Sequence, residues 1–200
     1  MLRSREADTQ RLGLRILEDC ERLLRMVDNL LDATRLEEGR HPFAPTEVAL
    51  RGAAASAIAE IAERARARDV AITLEAPDEL KVMIDPNVLE TVLRNLLDNA
   101  FKACVAGGGR AISLRAARVA GGVELVVRDD GIGFPPEDAA MIFEKFYRVG
   151  DELRRSMPGT GLGLYIVKRL VEQSGGAITA RSDGPKRVAI VTITWPERAR

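Results

Sequence analysis

The stretch PNVLETVLRNLLDNAFKAC, residues 86–104, decides the fold, because its apolar residues recur at the three- and four-residue spacing of an amphipathic helix. Pro86 suits the first turn, where its fixed φ is already helical and no N–H is needed. The stripe that we predict to face the core consists of Val88, Leu89, Val92, Leu93, Leu96 and Leu97. The pattern predicts a long helix that buries one face.

A polar stripe runs along another face of the same predicted helix. Asn95, Asn99 and Lys102 are spaced by four and three residues, so their side chains share that face. Carboxamide oxygens are hard ligands that suit Mg²⁺, and an ammonium suits phosphate. The alternative is a solvated face with a pair of asparagines, and the spacing alone does not choose between these interpretations.

Strands and helices interleave on both sides of this helix without a regular βαβ repeat. Further helices are predicted at residues 51–68 and 161–175, and the segments predicted as strands are 46–50, 70–76, 80–85, 111–119, 122–129, 177–182 and 187–195. This order indicates an α+β fold with a mixed sheet covered by helices on one face.

Residues 8–38 predict one long amphipathic helix before this domain. Its apolar stripe steps by four and three residues through Ile16, Cys20, Leu23, Val27, Leu30 and Thr34. The stripe is wider than a two-stranded seam, which favours a helical hairpin or four-helix bundle over a coiled-coil stalk. Gly39, Pro42 and Pro45 stop the helix. We therefore divide the chain into a helix at 1–40, a linker at 41–46 and a domain at 47–200.

Composition excludes several classes of protein. Lys and Arg number 30, as do Asp and Glu, so no global charge attracts nucleic acid. Apolar runs are too short to span a membrane, so the chain is expected to be cytoplasmic, with no direct membrane insertion. Cys20 and Cys104 match no metal or redox spacing and are interpreted as packing residues. The single histidine, His41, lies beside Pro42 in the linker, which argues against a catalytic role.

Two glycine-rich segments could approach a ligand. In DDGIG, residues 129–133, Asp129 ends an apolar strand and its carboxylate could accept a hydrogen bond from an exocyclic amine, while Gly131 and Gly133 allow a sharp turn. The segment PGTGLGL, residues 158–164, precedes a helix whose N-terminus could bind an anion, although it is not a Walker loop. Taken alone, the first segment is an ordinary turn and the second a flexible cap.

The order of these segments resembles the ATP-binding domain of sensor histidine kinases, within the GHKL ATPase superfamily. The predicted helix resembles the family's N box, DDGIG its first glycine box, IFEKFYR (142–148) its phenylalanine box and GTGLGL (159–164) its second glycine box. The segments TRLEEG (34–39), GGAITARS (175–182) and TITWP (192–196) resemble the flanks of the family. The resemblance implies a Bergerat-type fold, a two-layer α/β sandwich with a mixed, mostly antiparallel sheet.

The resemblance also implies the residues of an ATP site. Asn99 would hold Mg²⁺, Asp129 would bind the adenine amino group, and Phe143 and Phe146 would anchor a lid at residues 149–158. The implied ATP-binding residues are Asn95, Asn99, Lys102, Asp129, Gly131, Gly133, Tyr147, Arg148, Gly159, Thr160, Gly161, Leu162, Gly163 and Leu164. One departure is Ala189, which aligns where the family often has a threonine that supports adenine through water.

Relatives that hydrolyse ATP, such as gyrase, carry a glutamate where this sequence has Asn95, and an amide cannot act as a general base. The resemblance therefore implies phosphoryl transfer, first to a histidine outside this chain and then to the aspartate of a response-regulator receiver domain. Residues 8–38 resemble the second helix of the dimerisation hairpin, which implies a homodimer in the full-length protein, with or without a membrane sensor. The alternatives are a nucleotide-sensing adaptor without kinase activity and an anti-sigma-type serine kinase.

Overall fold

The computed structural model describes residues 43–149 and 159–197, together with Gly13, Cys20, Val27 and Thr34. The chain divides into two units, Met1–Arg40 and His41–Arg200, and each is described by itself. The last residues of the predicted linker already belong to the second unit, because the Ala44 N–H donates to the Asp85 carboxylate and the first strand begins at Thr46.

The described residues of the first unit are spaced by seven, and all of them are helical and exposed. Val27 is 53% exposed and Cys20 is also exposed. The helix prediction is confirmed at these positions, but the prediction that Cys20 is a packed residue is wrong for the single chain. An apolar stripe on a helix becomes buried only when a second helix packs against it.

A five-stranded sheet forms the centre of the second unit. Its strands are β2 (Ala71–Glu75), β4 (Ala111–Val119), β5 (Gly122–Asp129), β6 (Ala177–Ser182) and β7 (Ala189–Pro196), in the order β2-β4-β5-β7-β6. The pair β2–β4 is parallel and the other pairs are antiparallel. The prediction of a mixed, mostly antiparallel sheet is confirmed. Two other predicted strands, β1 (Thr46–Ala49) and β3 (Lys81–Ile84), form a separate antiparallel ribbon.

Three helices are described in this unit: α1 (Leu50–Arg66), α2 (Pro86–Gly107) and α3 (Gly163–Gln173). Short 3₁₀ turns lie at Pro136–Asp138 and Met141–Phe143. The third helix begins two residues later than predicted, since Gly161 has a left-handed φ of +73° that cannot continue into a helix. The last strand likewise begins at Ala189, after a loop in which Gly184 and Lys186 have positive φ.

Alternation along the strands separates a helix-covered face from an open one. Ile112, Leu125 and Ile193 are buried under the helices, whereas Arg115 and Arg128 project from the opposite face and are exposed. The whole predicted stripe of α2 is buried, from Val88 to Leu97. The predicted two-layer α+β sandwich is confirmed. In the described part of the chain, none of the helices is both long and apolar enough to cross a bilayer.

Asp85 fixes the start of α2. One oxygen of its carboxylate accepts from the Asn87 N–H at 2.9 Å, and the other accepts from the Ala44 N–H at 2.9 Å. These backbone donors, that of Ala44 first, lower the pKa of Asp85 despite its burial. The carboxylate therefore caps the helix and ties the chain before β1 to it.

Replacing Asp85 by alanine should remove about 2 kcal/mol of unfolding free energy, because the cap is lost and a backbone N–H is left unpaired. Denaturant unfolding of Asp85→Ala checks this, with the exposed Asp78→Ala as control. Since the folded pKa of Asp85 is lowered, the difference from the unchanged chain should persist above about pH 4 and shrink as the pH falls below it. Equal stability of the two variants at pH 7 would contradict this role.

Candidate functional site

The glycine turn, residues 131–134, follows β5 and lies directly on the backbone of α2. Ile132 donates its N–H to the Ala103 carbonyl at 3.1 Å. A Cβ atom on Gly131 would lie 2.4 Å from the Ala103 carbonyl carbon, and one on Gly107 would lie 2.5 Å from the Ile132 nitrogen. Side chains cannot occupy either position, so the two glycines set how closely the turn and the helix approach.

Asp129, the residue that ends β5, is only 6% exposed. Its Oδ1 accepts a hydrogen bond from the Gly131 N–H at 3.0 Å, and the described residues donate no other hydrogen bond to this carboxylate. Burial is the main reason that the pKa of Asp129 rises to about 6, and the neighbouring Asp130 raises it further. A buried carboxylate with one donor can accept a second hydrogen bond from a ligand N–H.

The adjacent Asp130 has a different role, which the sequence analysis did not identify. Its Oδ1 accepts from the N–H groups of Arg110 and Ala111, both at 2.8 Å, and its own N–H donates to the Ala111 carbonyl. The carboxylate therefore fixes the start of β4. The only sequence signal for this role was the second acidic residue of the DDG turn.

The asparagine face of α2 meets the start of α3. Asn95 donates through Nδ2 to the Thr91 carbonyl at 2.8 Å. A Cβ atom on Gly163 would lie 3.1 Å from Asn95 Oδ1, so a bare glycine lets α3 begin beside this amide. Asn99, one turn further along α2, is also half-buried. The structure thus places Asn95 beside the start of α3, with Asn99 on the same face of α2.

Lys102 is held in an ion pair. Its Nζ lies 2.6 Å from Asp98 Oδ2, while Asp98 Oδ1 accepts from Arg64 at 2.9 Å. Burial alone would raise the pKa of Asp98, but the Lys102 and Arg64 charges overcome it and lower the pKa. The Arg64 guanidinium also lies 4.9 Å from the centre of the Phe101 ring. Phosphate contact by Lys102 therefore has to compete with Asp98.

The phenylalanine segment packs on a small second core. Phe143 is buried with Phe134, Ile142 and Ala189, and the partly buried residues around this cluster are Ala139, Tyr147, Val149, Leu164, Ile178 and Ala180. The cluster joins the glycine turn, the start of α3 and the last two strands. Phe143 is therefore fixed in this core, and Tyr147 and Leu164 lie against the same core.

Phe146, the other expected anchor of the lid, is 63% exposed, and lid residues 150–158 lie outside the described residues. Its φ of +61° is left-handed, which is unusual for an aromatic residue. The residue is held instead by its backbone, whose N–H donates to the Gly161 carbonyl at 3.0 Å. A Cβ atom on Gly161 would lie 2.8 Å from the Phe146 carbonyl carbon, so this contact requires glycine.

The remaining predicted site residues lie around the second glycine segment. Thr160 Oγ1 accepts from the Leu162 N–H at 3.2 Å, and Leu162 is buried. A Cβ atom on Gly159 would meet no atom of the described residues within 4 Å, and Arg148 is half-buried next to Val149. Residues 150–158 of the predicted lid lie outside the described residues, as does His41.

Strand register places Ala189 of β7 directly opposite Asp129 of β5. The methyl group of Ala189 has no hydrogen-bonding atom, so the residue opposite the carboxylate cannot bind a polar ligand through its side chain.

Cys104 is fully buried on α2, as the packing interpretation expects. Its Sγ lies 3.7 Å from the Ala111 carbonyl oxygen and 3.6 Å from Asp130 Oδ1. Burial and the nearby Asp129 and Asp130 charges raise the pKa of the thiol to about 12. The neutral thiol is a packing group at neutral pH rather than a nucleophile.

Gly131→Ala should lower the unfolding free energy by at least about 2 kcal/mol, because its methyl group overlaps the backbone of α2. Thermal unfolding measures this. The control is Gly52→Ala on the exposed side of α1, where a Cβ atom would meet no described atom within 4 Å and alanine favours the helix. An unchanged melting temperature for Gly131→Ala would contradict the close contact.

Asp129→Asn should stabilise the ligand-free chain at pH 8 by about 2 kcal/mol, since it removes a buried charge. The folded pKa is raised, so Asp129 favours folding in its protonated form, and this advantage is lost as the pH rises through about 6. The gain from asparagine should therefore fade as the pH falls from about 6 towards 4. Melting curves across this range test it, and a gain independent of pH would be inconsistent with titration of Asp129.

Comparison with known proteins extends these observations. The sequence profile of the family described as "Histidine kinase-, DNA gyrase B-, and HSP90-like ATPase" matches residues 84–199, more than half of the chain. SenX3, a sensor-like histidine kinase of Mycobacterium tuberculosis strain H37Rv, is 34% identical over 188 residues, which cover 94% of this chain and 45% of that protein. The chain spans less than half the length of the curated relatives it matches.

Solved structures agree with the fold. The mycobacterial sensor histidine kinase MprB aligns with a TM-score of 0.65 and 29% identity over 78% of this chain and 100% of that chain. Full-length ShkA in complex with AMPPNP aligns with a TM-score of 0.72 and 28% identity over 88% of this chain and 37% of that chain. The region matched by the family profile begins at the end of β3 and includes α2, the glycine turn and α3. The chain therefore belongs to the histidine kinase-, DNA gyrase B-, and HSP90-like ATPase family.

Proposed function

We propose that the domain at residues 47–200 forms the ATP-binding part of a sensor histidine kinase. These residues would bind Mg²⁺-ATP and present its γ-phosphoryl group to a histidine located outside this chain, from which it passes to a response-regulator aspartate. The observation that carries the proposal is the contact between α2 and the glycine turn. This contact fixes the buried Asp129 at the end of β5 relative to the Asn95–Asn99 face of α2. The relatives named above are histidine kinases, which supports this choice among ATP-binding functions.

The base would bind at the Asp129 end of the site. The carboxylate has one hydrogen bond from its own turn, so a second donor such as the adenine amino group would complete its pairing. Such a donor favours the charged form of Asp129 and would lower its pKa from about 6. Binding should therefore be weaker below pH 6, where the free protein holds a proton that binding has to displace.

The phosphates would lie at the other end, between α2 and α3. The first N–H groups of α3 have no partner within the helix and carry the positive end of its dipole, which suits an anion. Asn99 fits a magnesium ligand because its amide is half-buried on the same face as Asn95 and forms no hydrogen bond with the described residues. The ion would neutralise phosphate charge, and Lys102 could add its ammonium by leaving Asp98.

The positions of the carboxylates on α2 favour transfer of the phosphoryl group to a protein side chain over hydrolysis of ATP. Asn95 occupies the position of the hydrolytic glutamate and its amide is bonded to the helix backbone. Asp98 is held by Lys102 and Arg64, and Glu90 is exposed near the start of the helix. Within the described part of α2, therefore, no free carboxylate lies on the Asn95–Asn99 face to activate water.

The first unit would supply the dimer interface. Its described residues are helical, and Cys20, Val27 and Thr34 are exposed on the predicted stripe. Pairing of this stripe with a second helix in a bundle would bury it, and that second helix would carry the acceptor histidine. We place the acceptor on that helix rather than at His41, which the sequence puts between the helix and the domain.

Calorimetric titration with Mg²⁺-ATP tests the binding proposal. Asp129→Ala and Asn99→Asp should each weaken binding by at least about tenfold, by removing the base contact and changing the metal ligand. Asn87→Asp, in the exposed first turn of the same helix, is the matched control and should bind as the unchanged chain does. Undiminished affinity in both site variants would overturn the proposal.

Labelled ATP distinguishes the kinds of reaction. The chain is mixed with a separate acceptor-helix fragment that carries a histidine followed by an acidic residue. Transfer of acid-labile, base-stable label to that fragment is expected. Binding without transfer would favour the adaptor interpretation, and acid-stable label on serine would favour the serine kinase.

A further inference from the structure

The glycine turn has a second wall, which the sequence analysis did not identify. This wall is the loop between β6 and β7, residues 183–188. Lys186 donates its N–H to the Ile132 carbonyl. A Cβ atom on Gly133 would lie 2.4 Å from the Gly184 oxygen and 2.5 Å from the Arg187 oxygen, and Gly133 has a left-handed φ of +57°. The turn is therefore enclosed by α2 on one side and by this loop on the other.

Ser182, the last residue of β6, joins the loop to the turn. Its side chain is buried, at 4% exposure. Its Oγ accepts from the Phe134 N–H at 3.2 Å and from the Gly184 N–H at 3.3 Å, and it donates to the Gly184 carbonyl at 3.2 Å. These bonds use both lone pairs and the proton of the hydroxyl, so the group is fully committed to backbone atoms.

Strand register connects Ser182 with Asp129. Ser182 pairs with Ala189 on β7, and Ala189 pairs with Asp129 on β5, so the three residues form one row across the buried face. Neighbouring strands are about 4.8 Å apart, which separates the backbones of Ser182 and Asp129 by roughly 10 Å. The hydroxyl therefore acts on Asp129 through the turn from Gly131 to Phe134 and not by direct contact.

We propose that Ser182 is a positioning residue for recognition of the nucleotide base. Its hydroxyl fixes the end of the turn at Gly133 and Phe134. The turn then keeps the shape in which Gly131 holds the Asp129 carboxylate towards the base. This inference rests on the proposed ATP site.

We expect loss of the Ser182 hydroxyl to change discrimination between adenine and guanine more than the overall affinity for the nucleotide. An adenine amino group donates to Asp129, whereas guanine presents a carbonyl oxygen at the same ring position, which a carboxylate repels. A firmly held turn keeps that repulsion in place. Without the Ser182 hydroxyl, the turn can shift and relieve it, while the phosphate end on α2 and α3 is left unchanged.

The test compares affinities for non-hydrolysable ATP and GTP analogues with Mg²⁺, measured on the full chain. Ser182→Ala should reduce the ratio of the GTP to the ATP dissociation constant by about tenfold, and Ser182→Thr, which keeps a hydroxyl, should restore most of it. The matched control is Ser174→Ala. Ser174 is also buried, at 3% exposure, and its Oγ bonds the Val171 carbonyl and the Trp195 indole, away from the turn.

Ser174→Ala should lower the melting temperature about as much as Ser182→Ala but leave the affinity ratio unchanged. An unchanged ratio in Ser182→Ala, or an equal change in Ser174→Ala, would overturn this inference while the ATP site stands. Failure of the unchanged chain to bind the ATP analogue would overturn the proposed function itself. If Ser182→Ala does not fold, Ser182→Cys, which keeps the volume with a weaker hydrogen bond, takes its place with the same expectation.

Discussion

The contact between the glycine turn and α2 is backbone against backbone, and the rest of the site depends on it. Gly131 and Gly107 leave no room for a side chain, and the Ile132 N–H is bonded to the Ala103 carbonyl. This contact sets the distance between the carboxylate at the end of β5 and the asparagine face of the helix. The caps at Asp85 and Gly108 then fix where that helix begins and ends.

The two consecutive carboxylates Asp129 and Asp130 differ in what they do: Asp130 stabilises the fold, whereas Asp129 is suited to binding a ligand. Asp130 receives two backbone N–H groups and holds the start of β4. Asp129 is buried with one donor from its own turn, and its raised pKa means that the charged form opposes folding at neutral pH. A residue that is unfavourable for the empty fold but complementary to a ligand N–H is the kind of compromise found at functional sites.

Local patterns were sufficient to predict most helices and strands. The buried stripe of α2, its Pro86 start and the β4–β5 hairpin follow from spacing and turn residues, because each depends on neighbours in sequence. Relations between distant residues were not predictable in this way. The pairing of β1 with β3 joins residues 32 to 38 positions apart, Arg64 lies 34 positions before Asp98, and Ser182 lies 48 positions after Phe134. The left-handed φ of Phe146 is also not suggested by its sequence, because such a φ is unusual for an aromatic residue.

A crystal structure of the chain with Mg²⁺ and a non-hydrolysable ATP analogue tests most directly whether α2 and the glycine turn form one nucleotide site. We expect the adenine amino group within hydrogen-bond distance of the Asp129 carboxylate and the metal beside Asn99, with the turn still in contact with Ala103. A base bound away from Asp129, or a metal held without Asn99, would contradict the site described for this chain.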